Sequence, residues 1–258
     1  MKADFVPILK REIYGMAASP GFYVIAGLFF LLASGLFLNN IYSFVEDMFQ
    51  QSQDPAYFQE PVNFTRDVVT PTFLGLAGLY LFFMPILLMR SLAEERASGT
   101  LELLTTSPVS DWGIVLGKFL GAVAANLLLL TGAGVYAALM LWIGDVEWPV
   151  LICCMAGLLL VGMAFASFGL FASALTRSQT AAAMIGFLGL LTLMLLRQFT
   201  PAQSGWIGKT VYDIAFQTHM EPLFKGVLRL EDMVYLALFT LFFLVLTHAM
   251  LKSRHWRA

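Results

Sequence analysis

Long uncharged stretches alternate with short charged ones along this chain. Six stretches carry no Asp, Glu, Lys or Arg over bilayer-spanning lengths: Ile13–Val45, Val68–Met89, Phe119–Gly144, Trp148–Thr176, Ser178–Leu196 and Met233–Leu251. A hydrocarbon core about 30 Å thick needs about 20 apolar residues in a helix. Ser19-Pro20-Gly21 interrupts the first stretch and marks where its helix enters the membrane. The pattern therefore predicts six spans, at about 22–41, 72–89, 114–143, 150–175, 180–196 and 233–251. The runs are continuously apolar and rich in Leu, Ala and Gly. They lack the period-2 alternation of barrel strands, which excludes a β-barrel. The first run is too long for the apolar core of a signal peptide and has no A-x-A site, so no cleaved leader is expected.

Four polar pieces remain. Residues 4–19 place Phe5, Ile8, Leu9, Ile13 and Met16 at helical spacing, with Lys10 and Arg11 off that face. This is the pattern of an amphipathic helix lying flat on a membrane surface. Residues 42–71 read as a polar, acidic loop. Residues 90–112 hold a second charged connection. Within it, 91–104 predicts a short helix with Leu92, Leu101 and Leu104 as apolar positions and Glu94, Glu95, Arg96 and Glu102 exposed. Pro108 ends that helix, and Ser110 or Asp111 is placed to cap the next. Residues 197–232 alternate apolar and polar positions and are expected to dip into the interface.

Composition agrees with the spans. Of 258 residues, 59% are hydrophobic and 12% charged, and mean hydropathy is +0.78; a soluble domain is about 25% charged. Net charge is −2, so no basic excess invites nucleic acid. The distribution of charge sets the orientation. With six spans both termini share a side, and ten of the fifteen Lys and Arg fall there, against six of the seventeen Asp and Glu. The positive-inside rule places that side, and both termini, in the cytoplasm. The 197–232 connection is discordant, with four cations on the outer side.

Motifs of soluble chemistry fail on context. Gly208-Lys209-Thr210 ends like a phosphate loop, but position 203 is Gln203 where that loop needs glycine, and no strand precedes it. Gly132-Ala133-Gly134 lies inside a span and reads as close helix packing. Gly117 and Gly121 form a GxxxG pair that serves helix packing. Glu94-Glu95-Arg96 differs from the paired glutamates of CAAX-type membrane proteases, where the arginine comes three residues after the pair. His219, His248 and His255 fall on different segments. Cys153 and Cys154 are adjacent and frame neither a disulfide nor a zinc site. Asn63-Phe64-Thr65 is a glycosylation sequon, with meaning only in a eukaryotic secretory host. No catalytic, cofactor or metal site emerges. The spans hold almost no ionisable residues, whereas ion-coupled transporters carry them near the midplane. If the protein moves something uphill, the energy is expected to enter from another chain. A charged helix held beneath the bilayer between two spans is well placed to dock such a partner.

The segment AEERASGTLELLTTSPVSDWGIVLGKFLG, Ala93 to Gly121, resembles the ABC-2 family of ATP-binding-cassette permeases. It looks closest to the branch that includes the gliding-motility permease and the permease of nitrous-oxide-reductase maturation. One departure is Gly113, where relatives often carry an acidic residue; it is expected to loosen the start of the third span. The resemblance implies an all-α integral membrane protein with the ABC-2, type V exporter-like, permease fold. It would be one transmembrane domain over 1–258: an elbow helix at 4–19, six spans, a coupling helix at 91–104 and an external re-entrant region at 207–230. It further implies two permease subunits, homomeric or related, and two copies of a cytoplasmic ATPase that binds ATP and Mg. No cofactor is implied on this chain. Leu92, Glu94, Glu95, Arg96, Gly99, Thr100, Leu101 and Glu102 would lie at the ATPase contact. The membrane would be the bacterial inner membrane, and the aromatic-rich spans suit a lipid-like or amphiphilic cargo. The alternative is an ATPase-coupled device that acts on an envelope partner and transports nothing.

Overall fold

The computed structural model describes residues 5–53, 61–99, 110–144, 146–199 and 205–255. Among them there are helices and no strands. Helix α1 spans Val6–Ala18 and α2 spans Pro20–Gln53. A π-helical turn, Thr65–Val69, leads into α3, Thr70–Leu88. A short helix α4, Ala93–Ala97, precedes α5, Asp111–Ile143. Then come α6, Trp148–Leu175, and α7, Gln179–Phe199. The short helices α8, Gly205–Ile214, and α9, Phe216–Phe224, lead to α10, Leu230–His255. Pro7, Pro71 and Pro149 stand in the first turns of α1, α3 and α6, where a missing N–H costs no helical bond. Six of the helices are long and apolar enough to cross a membrane.

Helix α6 is the centre of the bundle. It packs against α3, α5, α7, α9 and α10. Its glycines let neighbours approach: Gly162 faces Asn126 of α5, Gly169 faces Leu88 of α3, and Gly157 faces Leu223 of α9. A buried polar group in hydrocarbon needs a partner, and Asn126 donates Nδ2–H to the Leu159 carbonyl of α6 at 3.1 Å. Helices α3, α5 and α6 are largely buried, whereas α2, α7 and α10 each expose an apolar face. The bundle has two ends. At the terminal end lie α1, α4, the start of α5 and the end of α10, whose His248 stacks on Trp112 at 4.4 Å. At the distal end lie the π-helical turn, α8, α9 and the start of α10.

Several boundaries differ from the sequence reading. The region 42–71 is not one loop. Helix α2 runs on to Gln53, so its 34 residues extend about 51 Å at 1.5 Å per residue. No Gly or Pro interrupts positions 41–53, and Phe44 packs edge-on against Phe64 at 5.1 Å. The predicted helix over 91–104 also differs. Helix α4 stops at Ala97, followed by Ser98 and a left-handed Gly99 at φ +72°. A helix commonly ends this way, because only glycine takes that backbone region without strain. Thr100, Leu101 and Glu102 lie outside the described residues. Helix α5 starts at Asp111 despite Gly113: the Ser110 hydroxyl accepts from Gly113 N–H at 3.1 Å and caps it. Asn63 of the sequon is a cap as well. Its Oδ1 accepts from Thr65 N–H at 2.9 Å, while its own N–H donates to Asp67.

Candidate functional site

The terminal end is organised around a buried cation. Lys118 lies about two turns into α5, and its side chain is 1% exposed. An isolated buried ammonium is strongly disfavoured. Here Nζ donates to Glu12 Oε1 at 2.8 Å and to the Ser91 carbonyl at 2.6 Å, with Glu95 Oε2 at 3.1 Å. Arg11 bonds Glu95 as well and lies 3.6 Å from Glu12. Two cations and two carboxylates thus join α1, α4 and α5 in a cluster of zero net charge. Glycine makes the approach possible. A Cβ on Gly117 would stand 2.8 Å from Ile8 Cβ, and one on Gly121 2.8 Å from Glu12 Cβ. Gly117 and Gly121 therefore face α1 and let it lie against α5.

The same segment is bonded to the end of α6. Leu92 supplies no side-chain cap to α4. The buried Ser173 hydroxyl of α6 does so instead, accepting from Leu92 N–H and Ala93 N–H at 3.0 Å each. It donates its own proton to the Met89 carbonyl at 3.2 Å. In return Arg96 reaches from α4 to the Ala174 and Thr176 carbonyls, which α6 leaves open at its C-terminus. Of the charged residues read as exposed, Glu94 is so; Glu95 and Arg96 turn inward because Lys118 and the open carbonyls offer better partners than water. Leu92 is buried beside Ile8, Leu88 and Ile114. The outward face of α4 is left with Glu94, Ala97, Ser98 and Gly99. Between α1, α2, α3, α4 and α5 opens a cavity of about 580 Å³. Arg11, Arg90 and Glu94 line its polar part, and Met16, Phe22, Ile25 and Ile86 its apolar part.

Residues 6–227 match the family model described as ABC-2 family transporter protein. The chain belongs to the ABC-2 transporter family. No curated protein matches it. Proteins of this family are membrane subunits of transporters and generally partner a cytoplasmic ABC ATPase.

The distal end of this ABC-2 protein carries the other polar cluster. Arg197 of α7 pairs with Glu221 of α9, which also accepts from Lys225 at 2.6 Å. Lys225 and Arg197 together hold the Glu221 carboxyl below its ordinary value. His219 stands between two acceptors, Asp232 Oδ1 at 2.7 Å and the Asp213 carbonyl at 2.8 Å. The Asp213 carbonyl can only accept, so Nε2 is the ring nitrogen that donates to it. The ring stacks on Tyr235 at 4.0 Å, and Tyr235 donates its hydroxyl to the Ile214 carbonyl at 2.7 Å. Arg197, His219, Glu221, Lys225 and Asp232 line a cavity of about 440 Å³ with Arg229 and Glu231.

Helix α9 is anchored at its far end too. Cys153 Sγ is 3.2 Å from the Leu223 carbonyl, Cys154 Sγ is 3.4 Å from that of Phe224, and Thr70 Oγ1 donates to the latter at 3.0 Å. The adjacent cysteines are buried donors. Gly208-Lys209-Thr210 sits inside helix α8 and forms no loop. Gly132 meets the Phe30 ring of α2. Among the described residues no three His, Cys, Asp or Glu side chains gather into a metal site.

Proposed function

We propose that this chain is the permease subunit of an ATP-driven exporter or flippase of lipid-like or amphiphilic cargo. Two copies, or this chain and a related one, form the membrane pathway in the bacterial inner membrane. Two copies of a cytoplasmic ATPase bind ATP and Mg and do the hydrolysis. The terminal end faces the cytoplasm, as the excess of cations there indicates. The pattern from Ala93 to Gly121 further favours the branch of the gliding-motility and nitrous-oxide-maturation permeases.

The observation that carries this reading, beside the family match, is the form of α4. It is held by side chains from α1, α5 and α6, yet presents Glu94, Ala97, Ser98 and Gly99 outward. A segment anchored on its inner side, with Glu94 and Ala97 exposed among the described residues, suits docking into a soluble partner. The cavity beside it, polar at one part and apolar at another, suits an amphiphile. In the working cycle, nucleotide closes the ATPase dimer, the coupling segments move with it, and the spans change their access.

The test is affinity capture of the tagged chain from its host after gentle solubilisation and crosslinking. A stoichiometric soluble subunit with a true phosphate loop is expected. Glu94→Ala is expected to weaken stimulation of that subunit's ATPase without loss of fold. Absence of any ATPase after crosslinking would overturn the reading.

A further inference from the structure

Helix α6 is bonded at both ends to short helices outside the bundle, and by side-chain donors or acceptors at each. At the terminal end Ser173 caps α4 through Leu92 and Ala93, and Arg96 closes the α6 carbonyls in return. At the distal end Cys153 and Cys154 reach the last carbonyls of α9, Leu223 and Phe224. Gly157 of α6 brings Leu223 Cβ within 3.0 Å of where a Cβ would stand, and the left-handed Gly226 after α9 packs on Val150. Ser173 and Cys153 are separated by 20 positions of one uninterrupted helix, about 30 Å at 1.5 Å per residue. That distance is the thickness of the hydrocarbon core. No Pro or π-turn breaks α6 between them.

The two covalent neighbours of α4 lack this arrangement. Helix α3 carries Pro85 in its interior, where a backbone hydrogen bond is missing. Helix α5 is separated from α4 by more than ten residues. We infer that α6 is the strut that carries displacement of α4 to α9, with Ser173 as the positioning residue at its driven end and the Cys153–Cys154 pair at its output end. The inference rests on the proposed coupling role of α4. A shift of α4 would draw Ser173 and the α6 terminus with it through the Leu92 and Ala93 hydrogen bonds and the Arg96 return. At the other end the terminal carbonyls of α9 are bonded to α6 and, through Thr70, to α3, so that end of α9 would follow α6, while the Arg197–Glu221 and His219–Asp232 pairs tie its other side chains to α7 and α10.

The test uses the full permease–ATPase complex in nanodiscs, with amide exchange followed at residues 89–97 and 216–229, with and without ATP-vanadate. In the unaltered complex nucleotide is expected to change exchange at both. Ser173→Ala is expected to speed exchange at Leu92 and Ala93 about fivefold, the factor that a lost helix cap gives. It should leave the ATPase bound and cut the distal response about threefold, within the range that side chains on a coupling route exert. Ser173→Thr, which keeps the hydroxyl, should restore it. The double variant C153A/C154A should keep the response at 89–97 and lose the one at 216–229; it decides the matter alone if Ser173→Ala does not fold. A distal response of unaltered size in the variants that fold would overturn the strut. So would a complex that responds at 89–97 and not at 216–229. Failure of any ATPase to bind, or no nucleotide response at either segment, would instead overturn the proposed function.

Discussion

At the terminal end Lys118 is buried among Glu12, Glu95 and the Ser91 carbonyl. At the distal end Arg197 and Lys225, 31% and 56% exposed, share Glu221. Both ends join several helices through charge, but burial gives that charge different weights. A lysine withdrawn from water cannot exchange its partners for solvent, so the terminal cluster holds α1, α4 and α5 in one arrangement. The distal cations can be solvated as easily as paired, so that end can rearrange at small cost. The His219–Asp232 pair there is less exposed, at 16% and 3%. Under the proposed ATP-driven cycle the contrast has a sense. The stiff end would be the one that receives movement, and the end held by weaker bonds the one that opens and closes.

The sharpest way to break this contrast is to substitute one lysine at each end. Lys118→Met keeps the volume and removes the charge, leaving Glu12 and Glu95 without their ammonium. Removing one partner of a buried pair costs about 3–5 kcal/mol. Lys225→Met should cost about 1 kcal/mol or less. Denaturant unfolding in mild detergent measures both. Glu12→Gln added to Lys118→Met should recover much of the loss, because Arg11 and Glu95 then remain as a neutral pair. Equal costs at the two ends would dissolve the contrast.

The pair Asp232–His219 ranks next. The Asp232 side chain is 3% exposed, and its Oδ2 has no hydrogen-bond partner among the described residues. Asp232→Asn removes the charge that His219 meets at 2.7 Å. A hydrogen bond to a charged group is worth about 1.5–3 kcal/mol. Amide exchange should therefore accelerate in α8 and α9 and stay unchanged in α4. Acceleration in α4 alone would mean that the pair holds nothing at its own end.

The part of this fold legible in the sequence is the part that the bilayer dictates. Six apolar runs of span length need no tertiary information, and the Ser110 cap is a local signal read from four residues. The continuation of α2 to Gln53 was hidden because polarity was taken for a loop. Polarity reports exposure to water, whereas a helix ends where backbone chemistry ends it, and the next proline is Pro55. The segment Ala93–Gly121 carried the family likeness, but not the division of labour within Glu94-Glu95-Arg96. Glu95 turns inward because of Lys118 and Arg11, which lie 23 and 84 positions away. Ser173 gave no signal at all: a serine in an apolar run is commonplace until α4 is seen against it. Nor did Cys153 and Cys154 show their role, since α9 had first to be placed.

Close contact between α1 and α5 offers a smaller test of the stiff end. A Cβ on Gly117 would meet Ile8 Cβ at 2.8 Å and the Phe5 carbonyl at 3.1 Å. Gly117→Ala must push α1 outward, at about 1 kcal/mol, the low end of overpacking. Its readout is faster proteolysis within residues 6–18. Gly15→Ala is the control, since nothing lies within 4 Å of its missing Cβ, and alanine favours helix by about 1 kcal/mol. It should leave proteolysis equal or slower.

The smallest expected effect is one of pH at the distal end. Lys225 and then Arg197 lower the Glu221 carboxyl in the folded protein. A carboxylate lowered on folding adds stability that is fully present above its unfolded value, and it loses that stability as pH falls through the folded one. Acidification below the ordinary carboxylate range should thus loosen the Arg197–Glu221–Lys225 contact between α7 and α9. Partial exposure to solvent screens the interaction, so the change should be slight and should shrink further in high salt. Exchange at 216–224 measured between neutral pH and pH ~3, after correction for the intrinsic rate, reads it. Glu221→Gln should abolish this dependence and place neutral-pH exchange where acid places the unaltered protein. Persistence of the acid effect in Glu221→Gln would shift its origin to Asp213, Glu231 or Asp232. The distal end would then owe its hold to the buried pair beside His219 and not to the solvated one.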